Sequence, residues 1–294
     1  LAGAVHNAAR ARVPVFVFAG LSPFTQDGEL TGSRNEFIQW IQDVHDQRGI
    51  VRGYMRYDNE IRAAANVKQL VARALQIACS TPKGPVYLTG AREIMEAPAP
   101  TAALDPGHWK PTAPSALPPS AVAELTRALL GARAPLVVTS YLGRNPAAVG
   151  ELVKFCERLG AGVLESVPNY VNFPHDNMLY QGNQWNEPRQ NAALSQADLV
   201  IVIDSDIPWI PTVSAPRPEA RLYHIDVDPL KMQMPLWYMA AAERFAADAG
   251  VALQQLNAEL DKTPPDGPLV EARRGRWEGL HRQRRAELLQ REQP

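Results

Sequence analysis

The chain has 294 residues, 46% of them hydrophobic and 21% charged, with a formal net charge of -1 at pH 7. Those proportions describe a globular protein of one to three domains, and so small a net charge exerts no long-range pull on nucleic acid or on an anionic membrane. No apolar run approaches the roughly 18 residues of a bilayer-spanning helix, and Cys79 and Cys156 stand alone, with neither pair nor metal spacing. A cytoplasmic protein is expected, and the Ala-rich start on Leu1 reads as the middle of a helix, hence as a piece of a longer chain.

Residues 1–12 predict a helix, and "VPVFVFAG" (13–20) predicts a buried strand ending at a glycine. After a polar, turn-rich stretch, Phe37, Trp40, Ile41 and Val44 recur at helical spacing and predict a helix that stops at Gly49. It carries Gln42, Asp43, His45, Asp46 and Arg48. An Asp-His pair can do acid–base chemistry, but neighbours one to three apart on a charged helix face read first as a solvated surface. Val67, Leu70, Val71, Ala74, Leu75 and Ala78 mark a second amphipathic helix within 66–81, and "GPVYLTG" (84–90) a second strand. Residues 95–120 hold seven prolines and no periodicity, which predicts an extended linker, with Ser120 placed to cap the following helix.

Beyond the linker, helices alternate with the short apolar runs "APLVVTS", "AGVLES", "DLVIVID" and "RLYHIDVD", while 167–190 reads as irregular. Strands separated by helices mean βαβ units and a parallel sheet. The expected fold class is therefore α/β with two parallel-sheet domains: 1–95, a linker over 96–120, a Rossmann-like domain over 121–262, and a linker and charged helix over 263–294. In that last helix Glu271, Glu278, Glu287 and Glu292 offset much of the charge of Arg273, Arg274, Arg276, Arg282, Arg284 and Arg285, so it reads as solvated rather than as a nucleic-acid surface.

Three constellations bear on function. The loop "TSYLGRNP" joins a strand to a helix where a phosphate would meet backbone N–H groups, yet Gly143 is its one glycine, and a plain βα turn is the better reading. "GAGVLE" (160–165) lacks a third glycine and runs from helix into strand, the wrong order for a dinucleotide loop. "YHIDVDP" places His224, Asp226 and Asp228 on one strand face, but ligands spaced about 7 Å apart along a flat strand do not converge on one ion. The acids read instead as holding loop amides at the sheet rim.

Together these pieces resemble the thiamine diphosphate-dependent enzymes of the acetolactate (acetohydroxyacid) synthase-like group. "AVHNAARARVPVFVFAG" is similar to the helix–strand unit that follows the family's GPG-x-x-N turn, and "FIQWIQDVHDQRGIVRGYMRY" to the segment with its FQE motif, here with Gln42-Asp43. "STPKGPVYLTG" resembles the strand closing the pyrimidine-binding domain. "RAPLVVTSYLGRN…ADLVIVIDSD…ARLYHIDVDP" resembles the central domain with its "HIDIDP" signature.

The resemblance implies a 2-oxo acid substrate that loses CO2 with thiamine diphosphate as electron sink, the product then joining an acceptor or taking a proton. It implies Mg2+ as well, and a homodimer or homotetramer with no nucleic-acid or membrane partner. Gln42 becomes the candidate catalytic residue, a hydrogen-bond donor near cofactor or substrate. Gly143, Arg144, Gly182, Asp204 and Asp226 become the candidate cofactor-binding positions, and no residue is assigned to a metal. In flavin-binding members the strand tip at 204–210 reads G-x-R-F-D-D-R; here Asp204 and Asp206 replace the glycine and the first arginine, and like charge would repel a pyrophosphate. FAD is therefore doubtful and the central domain is expected to be a scaffold. The family's catalytic Glu and its G-D-G…N motif are absent from these residues, so the 294 residues alone are expected to be catalytically silent. The alternative is a non-catalytic α/β nucleotide-binding or scaffold protein.

Overall fold

A computed structural model describes residues 2–99, 103–185 and 188–292. The chain divides into two units, Leu1–Ala113 and Pro114–Pro294. Both are α/β with parallel sheets.

In the first unit the elements run α1 (Ala2–Arg10), β1 (Phe16–Leu21), α2 (Ile38–Ile41), β2 (Tyr57–Ile61), α3 (Val67–Cys79), β3 (Val86–Ala91) and α4 (Arg92–Met95). The sheet order is β1-β3-β2, all parallel, with β3 central and buried throughout. Alternation along β3 splits the core: Val86 and Leu88 pack with Ala74 and Ala78 of α3, while Tyr87 packs with Val5 of α1, Val51 and Met55.

One expectation for this unit is corrected. The helix expected over 37–49 closes after one turn. The guanidinium of Arg34 donates to the Gln39 carbonyl at 2.9 Å, the group that a continuing helix would offer to the amide of Asp43. Phe37 (87%) and Ile41 (81%) are exposed, so no burial within the chain rewards the apolar stripe. The proline-rich stretch is held to this unit by two side chains. The Gln76 side chain holds the Lys110 carbonyl at 2.9 Å and Ser80 Oγ accepts from the Thr112 amide at 3.1 Å. Further on, Leu117 is buried and exchanges two hydrogen bonds with Gln255. Residues 100–102 lie outside the described residues.

The second unit runs α5 (Pro119–Gly131), β4 (Pro135–Thr139), α6 (Pro146–Leu159), β5 (Gly162–Glu165), β6 (Tyr180–Asn183), α7 (Ala192–Gln196), β7 (Leu199–Ile203), β8 (Arg221–Asp226), β9 (Glu243–Ala246), α8 (Ala249–Lys262) and α9 (Gly267–Arg291). Its six-stranded sheet, all parallel, has the order β6-β5-β4-β7-β8-β9. Counted from β4, that is the doubly wound order 3-2-1-4-5-6. β4 and β7 lie in the middle, and every residue of both is buried, which is why they read as unbroken apolar runs. Pro118 rather than Ser120 sits at the cap position of α5, because Pro119 takes the first helical position. The stretch expected to be irregular contains β6.

The C-terminal helix departs most from expectation. It begins at Gly267, capped by Asp266, and buries Val270, Arg273, Trp277 and His281, spaced by three and four residues along one face. Trp277 lies so close over Gly162 that a Cβ there would come within 2.9 Å of the indole ring. Arg273, fully buried, donates to the carbonyls of Leu129, Leu130 and Ala132 at the end of α5 and to that of Leu159 at the end of α6. One guanidinium thus gathers carbonyls from the C-terminal ends of two helices, where amide partners run out. The charge count of the helix concealed this, because only the spacing of its few apolar residues carries the signal.

Candidate functional site

In an open parallel sheet the ligand crevice lies at the C-terminal strand ends where the order reverses, here between β4 and β7. Four loops meet there, following β4, β5, β7 and β8.

Asp204 stands first after β7, 1% exposed and in the left-handed region at φ 49°. Its carbonyl accepts from the amides of Ser140 (3.1 Å) and Tyr141 (3.0 Å), tying the two central strand tips together. Its carboxylate takes the guanidinium of Arg144 at 2.9 Å. Deeper in the same rim, Lys231, 2% exposed, sends its Nζ to Asp226 Oδ2 (2.6 Å), Asp206 Oδ1 (2.8 Å) and Tyr141 Oη (2.9 Å). The Tyr141 hydroxyl also donates to Asp226, and Asp226 Oδ1 accepts the Asp228 amide at 2.8 Å. The carboxylates are therefore compensated by Arg144 and Lys231, which corrects the expectation of bare repulsive charge.

His224, fully buried beside Trp237, has both ring nitrogens without a hydrogen-bond partner among the described residues. Its Nε2 is 3.8 Å from Asp226. Burial pushes its pKa down to about 4 against the pull of Asp226, with Lys231 and Arg244 adding to the depression, so the ring is neutral at pH 7. Among the described residues no group of three or more His, Cys, Asp and Glu side chains could hold a metal ion.

The place where a phosphate would meet the first βα loop is covered by the chain itself. The Gly143 amide donates to Asn172 Oδ1 at 2.9 Å, and a Cβ on Gly143 would overlap the Val171 carbonyl, so only glycine permits this approach. Pro146 opens α6 without an amide hydrogen, and Asn145 caps the Ala147 amide. Asn172 is itself held by Glu165 Oε1 at 2.9 Å and by the carbonyls of Ser140 and Tyr170. Beside this closed loop a recess of about 140 Å³ opens among Ile207, Trp209, Ile210, Val213 and Trp185.

The crevice thus collects Gly143, Arg144, Asp204 and Asp226. Gly182 lies on the edge strand β6 instead, and Gln42 belongs to the other unit, exposed just past α2. Near Gln42 the Asp-His pairing does not form. Asp43 pairs with Arg34, which holds its carboxyl below the usual range, and Asp46 does the same with Arg52. Sequence reading missed Tyr141, Asn172 and Lys231. Lys231 contacts Tyr141 across 90 positions, and no local pattern signals such a contact.

Residues 122–256 match the family described as thiamine pyrophosphate enzyme, central domain. That match lies within the later unit, which is similar to the central domain of thiamine pyrophosphate enzymes. Solved structures with the same fold include a thiamine diphosphate-dependent 4-hydroxybenzoylformate decarboxylase of Rhodococcus jostii RHA1 (21% identity, TM-score 0.68, 90% of this chain and 48% of that one). They also include a benzoylformate decarboxylase of Polynucleobacter necessarius (18% identity, TM-score 0.70, 87% and 46%). The chain spans about half the length of these proteins. No curated protein matches it by sequence. Among the described residues, no helix is long and apolar enough to cross a membrane.

Proposed function

We propose that this chain is one part of a thiamine diphosphate-dependent enzyme acting on a 2-oxo acid, and that its central domain serves as a support and not as a flavin site. The observation that carries the first half is the central-domain match over residues 122–256, set in a sheet of the order 3-2-1-4-5-6. The second half rests on the crevice. The Gly143 amide is already taken by Asn172, and the half-buried Arg144 and the buried Lys231 are each engaged by carboxylates, so a pyrophosphate would compete with bonds that these groups already make.

When bound, thiamine diphosphate would supply the electron sink for loss of CO2, and Mg2+ would need oxygen ligands from the protein. The described residues do not fit that second task, since none of their acid, His and Cys side chains converge as a metal set. Gln42, exposed on unit one beside the apolar Phe37 and Ile41, is the residue offered to cofactor or substrate as a hydrogen-bond donor. The same exposed apolar residues support a homodimer or homotetramer.

The fate of the decarboxylated product divides two finer readings. The solved neighbours are named as decarboxylases that act on aryl 2-oxo acids. The Gln42-Asp43 pair and "HIDVDP" favour acetolactate-type carboligation. An assay with thiamine diphosphate, Mg2+ and either pyruvate or benzoylformate tests the proposal. The 294 residues alone are expected to release no CO2, and the longer protein to release it from one of the two acids. Acetolactate among the products supports carboligation, and free aldehyde supports simple decarboxylation. CO2 release by the 294 residues alone, or none by the longer protein, would contradict the proposal.

A further inference from the structure

The recess beside the β4–β7 crevice is formed by the loops that follow β5, β6 and β7. It measures about 140 Å³, and its apolar walls are Val167, Trp185, Ile207, Trp209, Ile210 and Val213. None of its nine lining side chains is ionisable. Trp185 and Ile210 are each more than half exposed, which keeps apolar surface in water until something covers it.

The walls are set before any ligand arrives. The Ser166 hydroxyl donates to the Ile207 carbonyl, and the Gln184 side-chain amide to the Pro208 carbonyl. Ser214 Oγ accepts the Asn191 amide at 3.1 Å. The polar side chains of the lining are thus bonded to backbone and brace the loops against one another. Trp209, 5% exposed, meets the ring of Tyr238 edge-on at 6.5 Å between centroids, and the Tyr238 hydroxyl also bonds the Trp209 backbone. Val167 stands at φ 47°, a left-handed conformation that a β-branched residue keeps only where its surroundings hold it. A braced pocket avoids the ordering cost of one that must open.

We propose that this recess binds an uncharged molecule built on a single aromatic ring and refuses the matching carboxylate. Size sets the ring count, since an apolar cavity of about 150 Å³ takes benzene. Two indoles in the walls favour an aromatic over a saturated ring, through edge and offset contacts. Charge sets the rest: a carboxylate would lose its water with no cation in the lining to replace it. The site does not depend on thiamine chemistry, so its failure would leave the CO2-release assay standing as the test of the proposed function.

Equilibrium dialysis of the full 294-residue chain against acetophenone, benzoate, cyclohexyl methyl ketone and 2-acetylnaphthalene tests it. One saturable acetophenone site per chain is expected, about threefold or more tighter than for the cyclohexyl ketone. Benzoate is expected not to bind, and the two-ring ketone, too large for the recess, to bind about tenfold more weakly or less. Val213→Trp, which fills the recess, and Ile210→Asp, which puts a charge on its exposed wall, are each expected to weaken acetophenone by about tenfold or more. Leu236→Ala, which removes an exposed apolar side chain outside the lining, is expected to leave the affinity unchanged. If Val213→Trp does not fold, Ile210→Asp decides. The proposal is overturned by absence of acetophenone binding, or by any of the other three probes binding as tightly. An unchanged affinity in Ile210→Asp, or an equal loss in Leu236→Ala, would overturn it too.

Discussion

His224 and Lys231 share one rim, and each bears on the stability of the fold. His224 is buried neutral, with a pKa near 4 against an ordinary 6.5. Between those values the unfolded chain takes up a proton that the folded chain refuses, so stability falls as pH drops from 6.5 towards 4 and is fully present above 6.5. The span corresponds to at most about 3 kcal/mol. Urea unfolding across that range is expected to show a steeper acid loss in the native chain than in His224→Phe; parallel curves would refute the assignment. Lys231 offsets the carboxylates of Asp206 and Asp226, the latter wholly buried. Lys231→Met is expected to destabilise the later unit by about 3–5 kcal/mol, because it leaves a buried charge without its partner. Combining it with Asp226→Asn is expected to recover part of that loss, measured as a double-mutant cycle. Additive effects would show that the two groups do not act as a pair.

Among the elements, α9 shows most clearly how sequence and structure diverge. Its charge pattern reads as solvated, yet Val270, Arg273, Trp277 and His281 bury one face. Arg273 closes the C-termini of α5 and α6 at once. Arg273→Met is expected to lower the stability of the later unit by about 3 kcal/mol or more, since several buried carbonyls lose their donor together. A shift in the urea midpoint within error of the native chain would show that water replaces the guanidinium. The strands were legible by their apolar runs, and β1 shows that such a run does not guarantee burial, since it lies at a sheet edge with none of its residues buried. β4 and β7 are central and apolar throughout, and their runs stand out in the sequence. β2 (YDNEI), β6 (YQGN) and β9 (ERFA) lie at sheet edges, need no double-sided apolar surface, and left no apolar run to find. The stripe of Phe37, Trp40, Ile41 and Val44 misled in the other direction. Its period is helical, but Arg34 claims the Gln39 carbonyl and the apolar side chains lie exposed.

For the whole molecule, the βαβ alternation was sufficient to read two parallel-sheet α/β domains, and the strand-tip acids marked the crevice. What could not be read was that the crevice closes on itself, because Asn172 meets Gly143, and Lys231 meets Tyr141 and Asp206, only through the fold. That closure carries the view of the central domain as a support. Titration of the protein with FAD, followed by flavin fluorescence, tests it most directly. The account predicts no saturable quenching and a colourless protein after gel filtration. A stoichiometric yellow complex would contradict it, since a bound pyrophosphate would have to displace Asn172 from the Gly143 amide.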